Sequence, residues 1–360
     1  MDIAIVGPQL SGKTTVFRAL TSGHGGAAAG AHGENIGVVK VPDERLFKLA
    51  ELVQAKKVTP LEVRLHDLPP LFERGAAPAG EAAETLSRAD ALVLVVRAFQ
   101  REDVPQAQGG VDPQRDVQAF QAELLLNDLG IVERRLEKLD MAVRSGRPGE
   151  REAGEREVAL LQRVRSLLEA GRPLRGEVAD AADLKALANF GLLSLKPMLV
   201  LVNIGEDEAG RAGEIEAEYQ ARYGATRTGA AVMCARLEAE LAELPPADAA
   251  EFRREMGAGE GVTERVLALL QDLLGLVVFF TAGDKETRAW TVPAGSTALQ
   301  AAGRIHTDIE RGFIRAEVIS WDRLLALGSH VEARRHGQLR TEGKQYIVQD
   351  GDVINVLFNV

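Results

Sequence analysis

The sequence predicts an α/β protein built in three parts, and three observations carry that prediction. Short apolar runs alternate with helical patterns from Met1 to about Phe99, as in a mostly parallel sheet. A strongly helical stretch, from about Asp112 to Leu193, then interrupts the alternation. A fresh strand pattern starts at LVVFFTAG and closes with YIVQDGDVINVLFNV. At 360 residues the chain is long for one core and suits two or three units.

In chain order, DIAIV is a buried first strand, and a helix follows from Gly12. SGHGGAAAGAHG, residues 22–33, reads by composition as a mobile loop. NIGVVKV, LEVRLHD and ADALVLVV supply further strands, and PMLVLVN (197–203) and GAAVMC (229–234) are expected to complete the same sheet. Within the interruption, Leu125, Leu129, Val132, Leu136 and Leu139 recur at steps of three and four on one arm, as do Val158, Leu161, Val164 and Leu168 on the other. SGRPGEREAGE, with Gly146, Pro148, Gly149 and Gly154, breaks the helix between them. The expected result is a helical hairpin packed as an antiparallel coiled coil. One helical segment from about Leu237 to Leu274 leads to the last unit, where TVPAGSTALQAAGRIHTDIERGF reads as a turn and one helix. The segmentation is therefore 1–111 and 195–274 for the sheet domain, 112–194 for the helical insertion and 275–360 for a small α+β unit.

A net charge of −10 argues against non-specific attraction to nucleic acid or an anionic membrane. No DNA partner is expected, and any RNA contact must be regional. Cys234 is the one cysteine, so no internal disulfide forms and a reducing compartment, the cytoplasm, is expected. The apolar runs are too short to span a bilayer, and the first residues lack a basic leader, so neither export nor membrane insertion is expected. The six histidines show no metal-ligand spacing with cysteine or carboxylates, and no zinc site is expected.

The stretch richest in chemistry is GPQLSGKT, residues 7–14, which follows a strand and opens a helix, as a phosphate-binding P-loop requires. Gly7 begins the turn; the backbone N–H groups of Gln9, Leu10, Ser11, Gly12, Lys13 and Thr14, with Thr15 next in the helix, are placed to surround phosphates. Lys13 is the candidate to bridge the terminal phosphates and stabilise charge in transfer, and the Thr14 hydroxyl is the candidate Mg2+ ligand. Asp67, after LEVRLH, is either the carboxylate that holds Mg2+ through water or a strand-end turn residue.

Asn203-Ile204-Gly205-Glu206 ends another apolar strand, where GTPases carry N-K-x-D and the aspartate accepts two hydrogen bonds from guanine. Glutamate moves that acceptor by about a bond length, enough to spoil hydrogen bonds confined to roughly 2.7–3.2 Å. Guanine selectivity is weakened and adenine enters as a candidate base, leaving both ATP and GTP open on this element. The competing reading is an ordinary helix-capping turn.

NIGVVKVPDERL, NIGED, CARLEAELAEL, RAWTVPAGSTALQAAGRIHTDIERGFIRAEVIS and EGKQYIVQDGDVINVLFNV together resemble the YchF/Obg-like ATPase family over nearly the whole chain. The resemblance implies a G-type P-loop NTPase domain with an inserted antiparallel coiled coil and a C-terminal TGS domain of β-grasp fold. It also implies Mg2+-dependent hydrolysis of ATP, with GTP as the second candidate, and association with ribosomes. Asn203, Ile204 and Glu206 would read the base, and backbone groups at Cys234 and Ala235 would close its pocket. A modest basic excess from Arg304 to Lys344, including Arg315, Arg334, Arg335, Arg340 and Lys344, is either an RNA-facing patch or a plain solvated face.

Several positions depart from the family pattern. GPQLSGKT stands where G-x-P-N-V-G-K-S is usual, and Ala31 stands where a switch threonine is usual. D-x-x-G reads Asp67-Leu68-Pro69-Pro70, so Pro70 has no N–H for a γ-phosphate. Leu71, at the catalytic position of the water-orienting glutamine of many GTPases, is hydrophobic as in the family, and Gln106 stands where the family often has histidine. The expectation is a nucleotide-binding site with slow hydrolysis, or else a nucleotide-gated ribosome- or RNA-binding module.

Overall fold

The computed structural model describes residues 1–21, 27–29, 35–71, 78–100, 110–145, 148–225, 227–255 and 261–359. Its strands are β1 (Asp2–Val6), β2 (Ala27–Ala29), β3 (Asn35–Val41), β4 (Val58–Thr59), β5 (Leu61–Asp67), β6 (Ala91–Arg97), β7 (Met198–Asn203), β8 (Thr228–Met233), β9 (Leu276–Ala282), β10 (Thr287–Pro293), β11 (Phe313–Ser320), β12 (Arg340–Glu342) and β13 (Asp352–Phe358). The chain divides into two compact units, Met1–Val39 with Arg64–Leu269, and Lys40–Val63 with Leu270–Val360.

The first unit holds a seven-stranded sheet in the order β2-β3-β5-β1-β6-β7-β8. From β5 through β8 all pairs are parallel. β6 (ALVLVVR) and β7 (MLVLVN) are buried along their whole length, which is why they read as unbroken apolar runs rather than alternating ones. Residues 27–29, expected to be loop, instead form edge strand β2, antiparallel to β3. Pairing through backbone groups needs nothing more than the alanines present there.

The helical insertion consists of helices Pro113–Ser145 and Pro148–Glu169. The second helix starts earlier than the glycines suggested. Proline's fixed φ suits a first helical position, and each interior glycine costs only about 1 kcal/mol. The two apolar stripes share one cluster: Val132, Leu139, Leu161, Val164 and Leu168 are buried, with Leu125, Leu129, Leu136 and Val158 packed around them. Arg135 grips Glu157 with two hydrogen bonds, 2.7 and 2.9 Å.

The first of these helices is tied to the sheet by Asp128, which is fully buried. Its two carboxylate oxygens accept the backbone N–H groups of Leu193 (2.9 Å) and Ser194 (2.7 Å), in the turn that leads into β7. The N–H of Arg175 donates to the carbonyl of that same Ser194 at 2.9 Å. After β8, the single expected helix is three, Ala235–Leu241, Pro246–Glu255 and Val262–Leu274. The Pro245-Pro246 pair forces the first break.

The second unit carries a six-stranded sheet in the order β12-β11-β13-β9-β10-β4. Its last strand comes from far upstream: β4 pairs in parallel with β10, Val58 opposite Thr287 and Thr59 opposite Arg288. Residues 40–63 thus fold with the C-terminal residues rather than with their sequence neighbours. The helix Glu44–Leu52 explains why, because its buried Leu46 and Leu49 pack with Phe280, Leu324 and Val353. Arg45 secures it, chelating Asp43, reaching Asp350 at 2.6 Å, and lying 5.3 Å over the Phe280 ring.

The turn and single helix expected after β10 prove to be two helices, Ala298–Ile305 and Thr307–Arg311, because His306 ends one and caps the next through the N–H of Asp308. Thr297 and Gln300 form a reciprocal capping box at the first. Arginines counted as a basic excess are held by local partners: Arg334 by Glu317 (2.6 Å), Arg335 by Glu332 (2.8 Å) and Arg340 by the Tyr346 hydroxyl (2.9 Å). Among the described residues no helix is long and apolar enough to cross a membrane.

Asp128 supplies a test of the link between the insertion and the sheet. Burial pushes its carboxyl above the ordinary value, and the hydrogen bonds pull it back only in part. A raised folded value means that its contribution is greatest below the unfolded value, about 3.9, and is lost as pH rises through the folded one. Asp128→Asn leaves one buried N–H without an acceptor and is expected to cost about 1–3 kcal/mol in urea unfolding. The gap to the wild type should narrow between pH 4 and pH 7.

Candidate nucleotide site

The site lies at the carboxyl end of the central strand β1, beside the position where the sheet order turns outward in both directions, the usual place for ligands in open α/β sheets. Gly7 leaves the strand at φ +145°, and a Cβ there would stand 2.3 Å from the Val95 carbonyl oxygen of β6. Only glycine fits. Gly12 has φ +89°, and a Cβ there would stand 2.3 Å from the Asn203 amide nitrogen. Gln9 and Leu10 are exposed at the loop's apex, and Leu10 adopts φ +64°, a conformation costing a non-glycine residue about 1–2 kcal/mol.

The helix Lys13–Thr21 opens directly from this loop and buries Val16, Phe17 and Leu20, so it is fixed by packing. Lys13 is itself buried and folds back over the loop, its ammonium donating to the carbonyls of Gly7 and Pro8, each at 2.9 Å. The Thr14 hydroxyl donates to Asp67 Oδ2 at 2.9 Å, and Thr15 follows it in the helix. The Asn35 amide donates to the same Asp67 oxygen at 3.1 Å. Asp67 is buried at the end of β5, where two polar donors compensate its desolvation.

Asn203, expected from the sequence to read a base, joins several segments. Its amide nitrogen donates to the Ser11 carbonyl at 3.0 Å, and its amide oxygen accepts the Ala235 N–H at 3.1 Å. One side chain therefore joins the P-loop, the end of β7 and the helix that follows β8. Ile204 is buried and pairs through its N–H with the Met233 carbonyl at 3.0 Å. Cys234 precedes the helix Ala235–Leu241 as its cap residue, and burial pushes its thiol up, away from thiolate chemistry. Glu206 is half-exposed, with Oε1 3.3 Å from Arg236 Nε.

The Phe99 side chain lies beside this assembly: a Cβ on Gly12 would meet its ring at 3.9 Å, and one on Gly205 would meet its Cβ at 3.7 Å. Arg97 holds it, with its guanidinium 4.8 Å from the ring centre and Nε donating to the Phe99 carbonyl at 3.0 Å. Leu71 packs, partly buried, on the core of the sheet, and Pro70 precedes it. Ala31 and Gln106 lie outside the described residues.

The arrangement brings together a glycine loop opening a helix, the Lys13 ammonium folded over it, the Thr14–Asp67 hydroxyl–carboxylate pair, the Asn203 carboxamide and the Glu206–Arg236 ion pair. Comparison with known proteins places the chain in a family. The family described as "YchF-GTPase_C: Protein of unknown function (DUF933)" matches residues 276–359. "Ribosome-binding ATPase YchF" of Bacillus subtilis (strain 168) is 36% identical over 370 residues, covering 100% of both chains. The protein of the same name from Haemophilus ducreyi is 37% identical over 366 residues, covering 99% of this chain and 98% of its own. The chain belongs to the YchF family. The solved Schizosaccharomyces pombe YchF GTPase superposes with a TM-score of 0.85 at 28% identity, over 99% of this chain and 97% of the other.

Four residues of this YchF-family site escaped the sequence reading: Asn35, Arg97, Phe99 and Arg236. Asn35 opens the NIGVVKV run and Arg236 sits inside CARLE, so both lay in motifs already noted. What sequence lacks is the distance information that turns each into a partner of a named carboxylate.

Two substitutions separate cradle from core. Ser11 is buried, and among the described residues its hydroxyl has no hydrogen-bond partner. Ser11→Val is expected to raise stability by about 1 kcal/mol, the cost of an unsatisfied buried hydroxyl, and to retain nucleotide affinity because the loop contributes its backbone. Gly12→Ala, which meets Asn203 and the wrong φ together, should abolish binding; urea unfolding and calorimetry on both variants check the pair.

Proposed function

We propose that this YchF-family chain is a P-loop nucleoside triphosphatase that binds ATP with Mg2+, hydrolyses it slowly and associates with the ribosome in the cytoplasm. The observation that carries the reading is the continuous assembly from Lys13 and the Thr14–Asp67 pair through Asn203 to Glu206. Relatives named as ribosome-binding ATPases over the full chain support the activity and the partner.

The donor set suits a hard cation. Thr14 and Asp67 present oxygen ligands 2.9 Å apart beside the phosphate cradle, and Mg2+ takes one or two protein ligands together with substrate phosphates and water. Thr14 and Asp67 would hold the ion, which when bound neutralises charge on the phosphates. Lys13 would exchange its two loop carbonyls for phosphate oxygens, and the loop N–H groups, at the positive end of a packed helix, would hold them. Leu71 offers no group to orient water, so positioning and charge stabilisation remain the means of catalysis. Asn203 would support the base through the loop it braces, Glu206 would accept from its edge, and backbone groups at Ile204, Cys234 and Ala235 would close the pocket.

The two helices of the insertion are read as an antiparallel coiled coil, and residues 275–360 as a β-grasp TGS domain. The family match over 276–359 supports the latter. Pro70 favours a second reading, a nucleotide-gated ribosome- or RNA-binding module in which turnover is incidental, because it cannot donate a backbone hydrogen bond to the γ-phosphate.

Calorimetric titration with Mg2+ is expected to give tighter binding of ATP than of GTP; equal affinities would remove the base assignment. Lys13→Ala is expected to lower single-turnover ATP hydrolysis by about 100-fold or more, the scale of a lost charge-stabilising donor. Hydrolysis as slow in the wild type as in this variant, with and without ribosomes, would favour the gated module.

A further inference from the structure

Arg236 stands next to the base-reading end without a place in the activity derived so far. It is the second residue of the helix Ala235–Leu241, immediately after the N–H that Asn203 holds at 3.1 Å. Its Nε lies 3.3 Å from Glu206 Oε1 and donates to Glu240 Oε1 at 2.9 Å. Arg236 and Glu206 are each about half exposed, 53% and 46% of their side chains. An ion pair this exposed adds little to folding, typically about 0–1 kcal/mol, so stability alone does not account for its placement.

We propose that Arg236 is a specificity-determining residue that fits the Glu206 carboxylate to adenine and sets it against guanine. The inference rests on the assignment of Glu206 to the base end. A free carboxylate presents two acceptors side by side, which matches the two donors of guanine, N1–H and the exocyclic amine. Adenine presents a different edge: one donor, the N6 amine, beside one acceptor, N1. With one carboxylate oxygen engaged by a guanidinium, the pair offers an acceptor beside a donor, which is adenine's complement. The same arrangement opposes guanine by setting N–H against N–H, so discrimination comes from repulsion as well as attraction. Glu240 serves as a second anchor one helical turn away, fixing the guanidinium so that it is not free to swing off Glu206.

Base selectivity, the ratio of GTP to ATP dissociation constants measured by calorimetry with Mg2+ on the full chain, tests this. Arg236→Met keeps the aliphatic stem and removes the donors, and is expected to lower the ratio by about 10-fold or more, the scale of an unpaired polar group in a base site. GTP affinity should rise as ATP affinity falls, with the loss for ATP in KM more than in kcat, and Arg236→Lys should restore part of the ratio. In a Glu206→Leu background, Arg236→Met should add little, because the two act as one recognition unit. A merely structural arginine would weaken both nucleotides alike. If Arg236→Met leaves the ratio unchanged while Glu206→Leu, which removes both acceptors, lowers it, the role of Arg236 is overturned and the base assignment stands. If neither variant moves the ratio, the assignment of Glu206 itself fails.

Discussion

The site depends on one buried carboxamide. Asn203 spends its donor on the Ser11 carbonyl and its acceptor on the Ala235 N–H, so three chain segments separated widely in sequence take their spacing from four heavy atoms. Both bonds are buried, where an unmade partner would cost about 1–3 kcal/mol, which makes the geometry hard to relax. Gly12 answers the same constraint from the other side, since anything larger would stand in the amide's place. The loop of residues 7–14 and the turn that follows β7 are in this sense one object.

Around that bond the first unit is built outward by similar devices. Asp128 holds the turn entering β7 through two backbone N–H groups, and β7 delivers Asn203 at its far end. A helix of the insertion therefore touches the origin of the strand whose terminus carries the bracing amide. Buried polar groups of this kind contribute less to net stability than to uniqueness of arrangement, because a shifted register would leave each of them unpaired.

Much of this was legible in the residues. Glycine at positions 7 and 12 with lysine at 13, between a buried strand and a helix, announced the tight strand–loop–helix turn, and the all-apolar runs announced the interior parallel strands. The stripe from Leu125 to Leu139 announced the helical pair, because helix periodicity survives in sequence. What was not legible depended on contacts between distant segments or on cap chemistry. The membership of residues 40–63 in the C-terminal unit arises from Arg45 meeting Asp350 and from β4 pairing with β10. Three alanines carry no strand signal of their own, and proline at a helix start looks, in sequence, like proline at a helix end. The local partners of Arg334, Arg335 and Arg340 were likewise out of reach of composition, which counts charges but does not pair them.

The excursion of residues 40–63 has a consequence for the order in which the chain can become whole. Synthesis delivers Leu46, Leu49 and Leu61 early, but Phe280, Leu324 and Val353, with which they pack, emerge only with the last ninety or so residues. Until then a greasy helix and a short strand wait on a nascent chain without their cover, a long-range closure of the kind that slows folding and invites chaperones. The same topology means that cutting the chain near residue 275 does not yield a clean fragment. It strands an apolar surface on the part left behind, because residues 40–63 share their core with the C-terminal residues of the same unit.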